Sequence, residues 1–317
     1  MIFLLDLLRQ GLQWLLVLAI APLLIGWIRK VKARILRRKG PSIIQPWRDI
    51  LRLFRKEVVI ADNASWLYRW SPYVIFAVTW VATSLVPTFA SGLIFSWSAD
   101  LIAIAAFLST ARFFLTLAGM DIGTSFGGIG SSREAFFGSL AEPAMIMVVF
   151  IVSLIAGTTQ LSEIAAFMVG HTELRVSLGF ALIALLIVSI AENGRIPVDN
   201  PATHLELTMV HEAMILEYSG RHLAIIELAG ALKLLLYFSI ISCIFFPWGL
   251  AAPDAGSWEI LIGVITYLAK MTIAGALLAL FETSIAKMRI FMVPGYLGAA
   301  LMLGLIGTLL VFATRSL

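Results

Sequence analysis

The chain has 317 residues, 60% of them hydrophobic and 13% charged, with a mean hydropathy of +0.97 and a formal net charge of +4. Soluble domains carry roughly 25% charged residues, so this composition excludes a soluble enzyme and points to a bilayer, where about 20 consecutive apolar residues cross the hydrocarbon. The one cysteine, Cys243, can neither close an intrachain disulfide nor hold an iron–sulfur cluster, which takes about four ligands.

Apolar runs fall at 10–28, 72–90, 99–119, 139–158, 174–192, 222–246, 258–281 and 293–314. Each is long enough to span, so the expectation is an all-α polytopic membrane protein with about eight transmembrane helices in a single domain, 1–317. Barrel strands would be about half as long and alternate in polarity. Asp6 and Arg9 interrupt the first residues and no small-residue cleavage pattern follows, so the first run reads as a retained helix. After RRKG (37–40) comes PSIIQPWRDILRLFRKEVVI. There Ile50, Leu51, Leu53 and Phe54 recur near helical spacing against Arg48, Arg52, Arg55 and Lys56. That pattern predicts a short amphipathic helix suited to anionic headgroups or to a soluble partner. The GGIG at 127–130 follows no strand, is not a dinucleotide fingerprint, and reads as a turn.

With eight spans the loops alternate. Twelve basic residues lie between the first two runs, from Arg29 to Arg69, and Arg133, Arg195, Arg221, Lys287 and Arg289 fall on the same side, 12 + 5 = 17 of the 23. The opposite side holds Arg9, Arg175 and Arg315. By the positive-inside rule the basic side is cytoplasmic and both termini lie outside. This one-sided charge fits membrane lipid and gives no nucleic-acid surface.

Nine acids, Asp121, Glu134, Glu142, Glu192, Asp199, Glu206, Glu212, Glu217 and Glu227, map to connections or helix ends on the basic side. An ionisable group in a membrane helix costs roughly 2.5–3.5 kcal/mol, so each is expected to face a polar interior. Neighbouring carboxylates raise one another's pKa and share protons, the makings of a transfer path. The competing reading pairs each with Arg133, Arg195 or Arg221 as loop structure. Lys233 and Lys270 sit mid-span, and so does Arg112. Each marks either a hydrated polar axis or an ion pair across a helix interface. Glu227 and Lys233 are six apart and lie on different faces of one helix. The spacing of His204, His211 and His222 matches no zinc pattern, and Ser131, Ser132 and Ser219 have no nearby base-and-orienter arrangement for nucleophilic catalysis.

The segments RRKGPSIIQPWRDILRLFRKE (37–57), GMDIGTSFGGIGSSREAFFGSLAEPAM (119–145), AENGRIPVD (191–199) and LEYSGRHLAI (216–225) resemble the membrane anchor subunit of complex I. They are still more similar to its counterpart in group 4 membrane-bound NiFe hydrogenases of the formate hydrogenlyase and hydrogenase-4 type. The resemblance implies a non-catalytic subunit without a cofactor of its own. It would hold the soluble arm on the prokaryotic inner membrane and couple its redox chemistry to proton or sodium translocation. The NiFe centre and iron–sulfur clusters would sit in partners: hydrogenase large and small subunits and an iron–sulfur protein, with antiporter-like membrane subunits beside them. Carried over by motif, Glu134, Glu142, Glu192, Asp199, Glu206 and Glu217 fall on the acidic path, with Lys233 and Lys270 as candidates for its membrane stretch. Arg37, Arg38, Gln45, Asp49, Arg133, Arg195 and Arg221 would face the arm. The family's glutamate-rich run after Asp199 reads NPATHLEL here, so Ala202 and His204 replace carboxylates and Glu206 remains. Two alternatives stand beside this reading. One is the quinone-chamber subunit of a complex I type dehydrogenase, with a headgroup near Arg133 and Glu134. The other is an independent transporter, which would commonly show the repeated halves that this sequence lacks.

Overall fold

The computed structural model describes residues 2–170, 175–199, 210–253 and 255–315. Eleven α-helices are found among them. They are α1 (Ile2–Ile35), α2 (Gln45–Phe54), α3 (Trp66–Leu85), α4 (Leu101–Asp121), α5 (Ser125–Ala156), α6 (Leu161–Gly170), α7 (Val176–Glu192), α8 (His211–Ile215), α9 (Gly220–Phe245), α10 (Ser257–Ser284) and α11 (Val293–Arg315). Six are long and apolar enough to cross a membrane: α1, α4, α5, α9, α10 and α11 with the short turn before it. The other two expected spans are α3, with 20 residues, and α7, with 17. At 1.5 Å per residue α7 is about 26 Å long, just under the ~30 Å hydrocarbon core. The first turn of α3 carries Arg69 between Trp66 and Trp70, which are 73% and 63% exposed, an interfacial composition that shortens its apolar stretch.

Capping side chains fix where the helices begin. Ser65, Asp100 and Thr124 accept from Leu67 N, Ile102 N and Gly127 N, satisfying donors that a helix start leaves free. The expected turn at 127–130 is instead the first turn of α5. The chain reverses one step earlier, at Gly123, whose φ is +72°. The glycines of the GGIG serve packing: a Cβ at Gly127 would lie 2.2 Å from the Gly119 carbonyl oxygen, so α4 and α5 approach here backbone to backbone.

Helix α9 is the axis of the bundle. One side of it joins a core shared by α4, α5, α7 and α11, around Ile104, Val148, Leu185 and Tyr237. Its other side meets α1 and α10 through Leu232, Leu235, Val17 and Tyr267. The amphipathic segment forms as expected. Ile50 of α2 packs on Ala224 and Leu228 of α9, Trp47 Nε1 donates to the Ala19 carbonyl at 3.0 Å, and Leu51 and Phe54 remain exposed.

Proline shapes the contact between α3 and α9. Pro72 has no N–H, so the Tyr68 carbonyl four residues earlier lacks its helical donor. The Tyr218 hydroxyl, in the α8–α9 turn, donates to that carbonyl at 3.0 Å, and the two rings stack at 4.0 Å. Burial, then Tyr68 and Asp121, hold the Tyr218 hydroxyl well above the ordinary phenol pKa.

Candidate functional site

An arginine in the middle of α4 organises the interior. Arg112 lies eleven residues from Leu101, about 17 Å along the helix, and its side chain is 7% exposed. Its Nη1 donates to Glu142 Oε1 at 3.0 Å, its Nε lies 3.6 Å from Glu134 Oε1, and its Nη2 pairs with Glu192 Oε1. The second oxygen of Glu192 meets Lys233 Nζ at 2.9 Å. Four helices thus contribute to one chain of charges: α4, α5, α7 and α9. Glu192 is its hub, with a side chain only 3% exposed.

Backbone features make room for this chain. A Cβ at Gly138 would sit 2.5 Å from Arg112 Nη1 and 3.0 Å from its Cδ, so the α5 glycine is the floor on which the guanidinium rests. Pro143 follows Glu142 inside α5 and leaves the Ser139 carbonyl without a helical donor. A charge alone in hydrocarbon is costly, whereas a fork of donors facing three carboxylates spreads that cost over several charge-assisted bonds. Among the described residues, three carboxylates here share two cations. Between α4 and α5 a cavity of about 330 Å³ runs from Thr159 to Arg112, Glu142 and Glu192.

A second charge network closes the basic end. Glu282, near the end of α10 and 1% exposed in its side chain, takes Lys32 Nζ at 2.8 Å and lies 3.5 Å from Arg195 Nη1. Asp199 accepts from Lys287 Nζ at 2.7 Å and from Val210 N at 3.3 Å. With Met288 N donating to the Pro197 carbonyl at 2.9 Å, these contacts pin segment 193–199 against the α10–α11 connection. Burial lowers the Arg195 pKa, and the Glu282 carboxylate works against that shift.

The residues read from sequence therefore divide into groups. Glu134, Glu142 and Glu192 come together on Arg112, and Lys233 joins them through Glu192. Asp199 belongs to the second network, and so does Arg195, whose side chain is 14% exposed and engaged with Glu282. Glu217 is exposed in the turn before α9, whose start is about 20 Å along the helix from Lys233. Lys270 donates to the Phe246 carbonyl at 2.5 Å, also about 20 Å from Lys233 along α9 but at the opposite end. Glu206, Ala202 and His204 lie outside the described residues. At the basic surface Arg37, Arg38 and Arg221 are exposed and Arg133 is half-buried. Gln45 Nε2 and Arg52 Nη2 both donate to Asp49 Oδ1, at 3.1 and 3.2 Å. Glu282 was not among the sequence candidates. Its only signal was a carboxylate closing an apolar run, the same signal that Glu192 gave. Among the described residues no group of three or more His, Cys, Asp or Glu is placed to hold a metal.

The profile of the family described as NADH dehydrogenase matches residues 10–313, nearly the whole chain. The chain belongs to this family. Within it, formate hydrogenlyase subunit 4 of Escherichia coli (strain K12) is 32% identical over 286 residues, covering 89% of this chain and 91% of that one. Hydrogenase-4 component C of the same organism is 30% identical over 281 residues, covering 89% and 88%. A subunit of the NADH-quinone oxidoreductase of Salinibacter ruber is 29% identical over 223 residues, covering 66% and 63%. Among solved structures, a chain of the membrane-bound sulfane sulfur reductase, an archaeal respiratory membrane complex, superposes with a TM-score of 0.80. It covers 96% of this chain and 99% of that one at 23% identity, which establishes the shared fold of this NADH dehydrogenase family member.

Proposed function

We propose that this chain is the membrane subunit of an energy-converting, hydrogenase-like complex, and that it couples redox chemistry in a docked soluble arm to ion translocation. The observation that carries the reading is the Arg112-centred charge chain, in which Glu134, Glu142, Glu192 and Lys233 converge from three helices around the α4 guanidinium. The high coverage of the two hydrogenase-associated relatives favours this complex type over the complex I type. No catalytic step is assigned to the chain itself. The NiFe centre and iron–sulfur clusters belong to hydrogenase large and small subunits and an iron–sulfur protein in the arm, with antiporter-like subunits alongside in the membrane.

The proposed mechanism is electrostatic. Three carboxylates around two cations leave one carboxylate in excess, and a proton held there completes the balance. Because Arg112 and Glu192 are buried, charge added or removed at the docked arm is weakly screened here and changes which carboxyl holds that proton. Arg112 pairs with Glu142 and Glu192 and lies 3.6 Å from Glu134, so small guanidinium movements shift the preference among the three carboxyls. Lys233 anchors the far side. We assign the basic end to the cytoplasm and both termini to the outside of a prokaryotic inner membrane. Arg37, Arg38, Arg133 and Arg221, with the Gln45–Asp49 pair, form the docking rim on that face.

The test is purification of the complex in mild detergent, identification of its subunits, and reconstitution into vesicles. Ion uptake driven by donor oxidation, lost in Glu192→Gln with the set of subunits intact, supports the reading. A chain that purifies without soluble or membrane partners contradicts it.

A further inference from the structure

The cavity between α4 and α5 is bordered by exposed apolar side chains on the flank of the bundle. At one end the helices are tied together by Leu101 N donating to the Thr159 carbonyl at 3.0 Å and Leu161 N to the Ala99 carbonyl at 2.9 Å. At the other they meet at the Gly119–Gly127 contact. Between these ties lies a groove with small and apolar walls, including Ala105, Ala106, Ile146 and Phe150. Ile146 is 59% and Phe150 44% exposed. Small wall residues let another helix approach closely, which is how membrane helices pack without a hydrophobic driving force.

Three observations set the chemistry of the occupant. The Glu142 side chain is 42% exposed and faces this groove at membrane depth, where a carboxylate cannot be left to acyl chains. The charge chain behind it has three carboxylates for two cations among the described residues. Ser153, on the same wall, has a buried hydroxyl with no hydrogen-bond partner among the described residues. An acyl chain offers neither a positive charge nor a hydrogen-bonding group.

We propose that the groove seats a transmembrane helix of a partner subunit that brings one cationic side chain to the depth of Glu142. That cation and the exchangeable proton then compete for the same excess carboxylate, so movement of the partner helix gates the proton. The inference rests on the place in a multi-subunit complex proposed for this chain, and it adds the face used and the charge required.

The experiment places a benzophenone amino acid at Ala106 or Ile146 of this chain in the whole complex, in native membranes. Leu277, exposed on α10, serves as the control position. Illumination should join positions 106 and 146, but not 277, to a transmembrane segment carrying Lys or Arg within one turn of the cross-linked residue. Glu142→Lys should then detach that partner, and reversing the partner's cation to glutamate should restore it. Adducts to lipid alone, or to a helix without a basic residue, overturn the proposal while leaving the function reading intact, provided partners co-purify. A chain with no co-purifying partners overturns both.

Discussion

Glu192→Gln is the substitution that most directly probes the charge chain. In the native arrangement Glu192 holds Arg112 with one oxygen and Lys233 with the other, the latter at 2.9 Å. Glutamine keeps the shape and removes the charge. Arg112 still has Glu142 at 3.0 Å and Glu134 at 3.6 Å, but Lys233, with a side chain 20% exposed, loses its carboxylate. Removing one partner of a buried pair costs about 3–5 kcal/mol, because an uncompensated charge stays behind. Adding Lys233→Met removes that charge too, and a buried pair replaced by neutral groups of similar volume is often close to neutral in stability. The double variant should therefore be less destabilised than the sum of the singles, by about 2–3 kcal/mol, the upper range for residues in contact. Unfolding of the purified wild type, both singles and the double in one detergent measures the coupling. If the two single effects add to the double within about 0.5 kcal/mol, Glu192 and Lys233 do not pair and the chain is broken at its hub.

Other substitutions test the surrounding structure. Gly138→Ala should cost about 1–3 kcal/mol by pushing on Arg112, whereas Gly128→Ala, with nothing near its would-be Cβ, should be neutral or stabilising; thermal unfolding compares them, and equal effects would dismiss the floor under the guanidinium. Glu282→Gln leaves Lys32 and Arg195 without their carboxylate, so hydrogen exchange across 193–199 should speed up, and unchanged protection would show that the segment is held by other contacts. Tyr218→Phe should lose about 1 kcal/mol with the bond to the Tyr68 carbonyl, and Pro72→Ala, by returning a helical N–H to that carbonyl, should recover part of it; a double variant no better than the single would refute the proline argument. Neutralising Arg37 and Arg38 together should loosen the soluble arm at moderate salt, and arm retention equal to wild type in a pull-down would place docking elsewhere.

Periodicity and polarity carried the fold a long way. Eight apolar runs became α1, α3, α4, α5, α7, α9, α10 and α11, and the basic amphipathic stretch became α2 with Ile50 turned inward, because both patterns are local properties of the chain. Partnerships were not legible. Lys233 could have met water or any acid within reach, and only the packing of α7 on α9 delivers Glu192 to it. Lys270 gave the same sequence signal, yet it lies near the other end of α9 and caps the Phe246 carbonyl. The glycines at 127–130 looked like turn residues because glycine in sequence does not say whether φ or close approach requires it. Here it was close approach, since a Cβ at Gly127 would collide with the Gly119 oxygen. By the family resemblance Arg195 would face the arm, while the competing reading paired it with a nearby acid. The acid it meets is Glu282, 87 residues further on and 3.5 Å away.

We propose that Glu142 holds an exchangeable charge linking the docked arm to ion movement. Its most direct test is the ratio of ions moved to electrons transferred by the intact complex in sealed vesicles, wild type against Glu142→Gln. Electron transfer that continues while the ion gradient collapses is the predicted result. A variant that builds the gradient at the wild-type ratio would reduce the buried charges to scaffolding.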